Sequence, residues 1–135
     1  MNKIRWSYPL LGLLALIAGT LGAVFFTRYR QDQHKIQIQS EIARIRTYSE
    51  AHWLRNGCYL LAPDSCAKPK SGAWAKLGVA VPPAERGCFR IESPDPAWAG
   101  TETAPSMQVV VVSKRDGLMA VEGNNDSAPR WTKLR

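Results

Sequence analysis

The chain has 135 residues, enough for one membrane segment and one small domain of about a hundred residues, and too few for several domains. Its formal charge is +7. Lys3, Arg5, Arg28 and Arg30 supply four of those charges, so residues 31–135 carry only +3, far from the strongly basic balance of a dedicated nucleic-acid-binding domain.

The first element is Leu10–Phe26, LLGLLALIAGTLGAVFF, seventeen residues without a charge. At about 1.5 Å per helical residue it covers roughly 26 Å, close to the roughly 30 Å hydrocarbon core of a bilayer, and predicts a transmembrane helix. Trp6 and Tyr8 precede it and Tyr29 follows it, where the two headgroup layers would lie. A cleaved secretion signal shares the charged start and the apolar run, with Ala18 and Thr20, or Thr20 and Gly22, as candidate cleavage pairs. Continuation of the run through Val24, Phe25 and Phe26 argues for retention. The small residues Gly12, Ala15, Gly19, Gly22 and Ala23 are the expected contacts with neighbouring membrane helices, because they permit close backbone approach.

From Thr27 the sequence turns polar without a break. Between Pro9 and Gly57 there is no proline, and between Gly22 and Gly57 no glycine, which predicts one helix from Pro9 to Asn56. Residues 27–56 are its amphipathic half. Ile38, Ile42, Ile45, Ser49 and His52 recur at four, three, four and three residues, a stripe that calls for a packing partner. The pairs Glu41 with Arg44 and Arg46 with Glu50 are expected on the solvated opposite face. Asn56-Gly57 supplies a left-handed stop.

Residues 58–83 read as an irregular loop attached to the domain by its cysteines, Trp74 and the apolar piece Leu77–Val81. Strand signals follow at Cys88–Ser93, Met107–Lys114 and Gly117–Gly123, with Asp116-Gly117 as a hairpin turn and the terminal PRWTKLR as a possible fourth strand or edge. The fold class expected is α+β, a long N-terminal helix whose amphipathic half packs through Ile38, Ile42 and Ile45 on an antiparallel sheet of three to four strands.

Lys3 and Arg5 on one side balance Arg28 and Arg30 on the other, so charge does not orient the segment. The three cysteines do. None forms a C-x-x-C pair or stands at ligand spacing with a histidine, and three thiols in loop-like sequence suit an oxidising compartment better than a zinc site. Residues 1–9 are then expected to be a cytoplasmic N terminus and residues 57–135 a domain outside the cytoplasm. Cys58 with Cys66 is the most local bridge, and Cys88 is the alternative partner of either.

No catalytic residue, metal ligand set, cofactor site or small-molecule substrate emerges. His34 and His52 have no nucleophile or carboxylate in motif spacing, and no phosphate loop, H-E-x-x-H or G-x-S-x-G occurs. Two basic patches with an aromatic residue stand out: Lys68, Lys70 and Lys76 around Trp74, and Arg130, Lys133 and Arg135 around Trp131. A tryptophan so placed can stack on a base while the lysines follow a phosphate backbone, so the first patch is a possible DNA contact. The competing reading has the tryptophans packed inside and the lysines solvated.

These parts together resemble the type IV pilins and the pseudopilins of type II secretion. LLALIAGTLGAVFFTRYRQDQ is similar to the pilin stem, with small residues and a tyrosine at Gly19, Ala23 and Tyr29; ARIRTYSEAHWLRNGCY resembles the end of the pilin helix, and WAKLGVAVPPAERGCFRIES the passage into the first strand. On that alignment Arg5, Trp6 and Leu10 stand where pilin precursors carry Gly, a Phe-like residue and Glu. The resemblance implies a bitopic inner-membrane protein of structural role. Its partners would be other pilin-like subunits, inner-membrane assembly proteins and membrane lipid, and Leu10 in place of the Glu implies a tip, priming or accessory position. Two other functions remain on the same architecture: a signal-anchored periplasmic accessory subunit of another secretion or conjugation apparatus, and a DNA- or ligand-binding minor pilin.

Overall fold

In the computed structural model, Ser7–Arg135 are described, together with the side chains from Tyr8 onward. Lys3, Arg5 and Trp6, and with them most of the expected cytoplasmic N terminus, lie outside the described residues. The chain forms two compact units, residues 1–35 and residues 36–135.

Helix α1 runs from Ser7 to Asn56. Pro9 lies in its first turn, where a missing N–H costs nothing. It stops where expected: Gly57 takes φ +73°, and its N–H donates to Trp53 O over 2.7 Å.

In the first unit, the large apolar side chains of residues 10–26 are exposed, from 46% at Ile17 to 68% at Leu16 and Phe25. Among the described residues this is the one helix long and apolar enough to cross a membrane. Thr20, the only hydroxyl in the run, bonds back to Leu16 O (3.0 Å) and Ile17 O (2.9 Å), and Thr27 donates to Val24 O (2.9 Å). Such back-bonding leaves no hydroxyl donor for an apolar solvent to reject.

The second unit is built on the last part of α1. Ile38, Ile42, Ile45 and Ser49 are each 1% exposed or less, so the stripe predicted from their spacing is the buried face of the helix. It meets a four-stranded antiparallel sheet in the order β2–β4–β5–β6, formed by β2 (Cys88–Glu92), β4 (Gln108–Ser113), β5 (Leu118–Gly123) and β6 (Arg130–Lys133). One row across it is Phe89, Val111, Ala120 and Trp131; the next is Ile91, Val109 and Glu122. Because side chains alternate between faces, these rows turn Phe89, Ile91, Val109, Val111 and Ala120 into one core with the isoleucines. The β4–β5 turn ends at Gly117, with φ +61°, and is fixed by the Ser113 hydroxyl on Asp116 at 3.0 Å.

Two elements escape the strand and loop reading. A second, two-stranded sheet pairs β1 (Tyr59–Leu60) with β3 (Thr103–Ala104), and an isolated bridge between Ala62 and Ile91 ties that segment to the edge of the larger sheet. Strands of two residues have no alternation to read. Inside the expected irregular loop, Gly72–Leu77 forms a short helix, α2, started by Ser71 and ended by Gly78 at φ +79°. The loop is attached as foreseen, since Trp74, Leu77 and Val79 are all buried.

Of the charged pairs on α1 only Glu50 is exposed; Arg44 and Arg46 are half-buried and Glu41 is buried. Glu41 is buried and receives both Arg44 and Arg86, while Arg46 reaches across to Glu122 at 2.6 Å and lies only 3.7 Å from Glu50. Helical spacing correctly brings i and i+3 or i+4 together, but it does not show a third partner from a distant strand or loop.

Candidate functional site

Three places carry the functional expectations. The first is the apolar half of α1. Gly12, Ala15, Gly19, Gly22 and Ala23 fall on one side of the helix within an arc of about 100°, since successive residues turn by about 100°. A side chain added at Gly12, Gly19 or Gly22 would meet nothing within 4 Å. Among the described residues, the small size of these three glycines serves no contact. Tyr8 and Tyr29, at the two ends, are 70% and 62% exposed, and the Arg30 guanidinium lies over the Phe26 ring at 4.8 Å.

The second is the cysteine set. The preferred bridge from Cys58 to Cys66 is corrected: Cys66 is bonded to Cys88, with Cα atoms 5.3 Å apart, and Cys58 is the free thiol. The cause lies in the neighbouring backbone. Ser65 N–H donates to Phe89 O at 2.8 Å, and Phe89 N–H to the Ser65 hydroxyl at 2.9 Å, which lays residue 66 beside residue 88. Cys58 is held elsewhere, on the turn after α1, where Nδ1–H of His52 donates to its carbonyl at 3.0 Å and Trp53 stacks on Tyr59 at 6.1 Å. His52 is thus a half-buried clasp on the helix end. Asp64 lies close to both bonded sulfurs, but its carboxylate accepts the N–H of Cys66 (2.8 Å) and Ala67 (3.4 Å), and the disulfide removes both thiolates that a metal would need.

The third is the basic patch. Trp74 is 1% exposed, and its Nε1–H donates to Pro63 O at 3.1 Å, so its ring belongs to the core and is not available to stack on a base. Lys68, Lys70 and Lys76 remain on the surface. Lys68 and Lys76 line a cleft of about 720 Å³ that Lys70 does not join. Sequence reasoning did not find this cleft, whose other lining comes from residues 60–63, 71–73, 91–93 and 98–102. In the C-terminal patch, Trp131 is half-buried on β6 and packs against the core, with Arg130 and Lys133 exposed.

Comparison with protein-family models finds no match, and no curated protein and no solved structure matches the chain.

Proposed function

We propose that the protein is a pilin-like structural or accessory subunit of an envelope machine of the type IV pilus or type II secretion kind. In this reading Leu10–Phe26 is a permanent single-pass anchor in the inner membrane of a bacterium, the N terminus is cytoplasmic, and residues 57–135 are periplasmic. The supporting observation is the uninterrupted course of α1 from an exposed apolar run into a buried isoleucine stripe under a sheet. An exposed apolar helix is stable only when lipid or other helices cover it, and its small-residue stripe suits other helices. The Cys66–Cys88 bridge fits an oxidising compartment. Leu10 puts no carboxylate into the hydrocarbon, which suits a tip, priming or accessory place better than a repeating one.

Affinity isolation of the full chain from native membranes, followed by mass spectrometry, tests this. The reading expects pilin-like subunits and inner-membrane assembly proteins in the eluate. Recovery of conjugation or other secretion components in their place would overturn it.

A further inference from the structure

The 720 Å³ cleft lies within the size range that engulfs a small ligand or a few residues of a peptide. Three chain segments meet around it. Residues 60–63 contribute the half-buried Leu61 and Pro63, the segment through α2 contributes the exposed Lys68 and Lys76, and the connection from β2 to β3 contributes Trp98 and Glu102. Trp98, the one tryptophan among the described lining residues, is 38% exposed and of a residue type that anchors interfaces when it meets an apolar partner.

The charges around the cleft are unequal in what they leave available. Glu92 is spent: its Oε2 takes Arg90 Nε at 2.8 Å, and its Oε1 takes Gln108 Nε2 at 3.0 Å. Lys68, Lys76 and Glu102 enter no salt bridge among the described residues. Two uncommitted cations therefore stand beside an apolar floor and an indole, with one carboxylate able to accept amide N–H groups. We propose that this cleft binds an extended acidic segment of a partner polypeptide, with an apolar side chain on Leu61, Pro63 and Trp98 and flanking carboxylates on Lys68 and Lys76. A nucleic acid fits less well, because Leu61 and Pro63 offer an apolar floor that suits a hydrophobic side chain, and two lysines are few for a phosphate backbone. The proposal stands apart from membrane anchoring and from the identity of the envelope machine.

The test uses the full chain in lipid nanodiscs and isothermal titration with three probes. These are the capped pentapeptides acetyl-Ala-Asp-Leu-Asp-Ala-amide and acetyl-Ala-Lys-Leu-Lys-Ala-amide, and a single-stranded oligothymidine. The acidic peptide should bind at least about tenfold more tightly than the lysine peptide, since like charges across an interface are penalised. The double variant K68E/K76E should reverse that order, and W98A should abolish acidic-peptide binding; circular dichroism establishes that both variants are folded. Equal affinity for the two peptides, no binding of the acidic one, an unchanged order in K68E/K76E, or binding of the oligothymidine alone would each overturn the proposal.

Discussion

Arg46 and Glu122 are bound across 2.6 Å although 76 positions separate them, and this pair pins α1 to β5. The same guanidinium donates to Asn124 O and Asp126 O, each at 2.9 Å, so one side chain fixes both a strand and the turn that leaves it. Glu122 is nearly enclosed, with 8% of its side chain exposed, against 20% for Arg46. Loss of Arg46 therefore leaves a buried carboxylate and two carbonyls unanswered. R46M should destabilise the domain by about 3 kcal/mol, and R46M/E122L should recover part of that, because the unpaired charge goes with its partner. Thermal unfolding of the full chain in detergent, followed by near-ultraviolet circular dichroism, measures both.

The disulfide closes a loop across a sequence separation of 22 residues, which in the chain-entropy account is worth about 3 kcal/mol. C66S, C88S and the double variant should lower the unfolding midpoint to a similar extent. C58S should leave it nearly unchanged, since Cys58 is unbonded and half-exposed. Thiol titration of the unfolded, unreduced protein should count one reactive group.

Ser49 sits at 0% exposure, and its hydroxyl has no hydrogen-bond partner among the described residues. Burying an unsatisfied hydroxyl costs about 1–3 kcal/mol. S49A also adds a better helix former, so it should raise the unfolding midpoint by the equivalent of about 1 kcal/mol. A lower midpoint would mean that the hydroxyl is bonded in solution.

Ile42 lies at the middle of the stripe and is fully buried. I42A should cost about 3 kcal/mol through lost transfer energy and the cavity left behind, whereas I36A should cost little, since Ile36 is 55% exposed. The two changes are chemically identical, so the difference between them isolates packing on the sheet.

What was legible in the sequence was local. Ile38, Ile42 and Ile45 announce a buried helix face through their 3.6-residue rhythm, and the run Val109–Val112 announces a strand as a short apolar stretch of β-branched residues. The four strands and the stop at Gly57 follow from such local signals. What depends on a long-range partner was not legible. The Cys66–Cys88 pairing follows from Ser65 bonding to Phe89; Glu41 is buried because Arg86 comes back to it; and Trp74 is enclosed because Pro63 accepts its indole N–H. The cleft needs three separate segments, so no single stretch of sequence could show it.

The central claim is an intact membrane anchor with the folded domain on the periplasmic side. Treating intact spheroplasts with a membrane-impermeant maleimide, then isolating the full-length chain from the carbonate-washed membrane, tests it most directly. The account predicts a chain retained in the membrane, labelled from outside at Cys58 alone, and carrying the Cys66–Cys88 bridge. A chain released from the membrane after cleavage within Leu10–Phe26, or one labelled only after lysis, would contradict it.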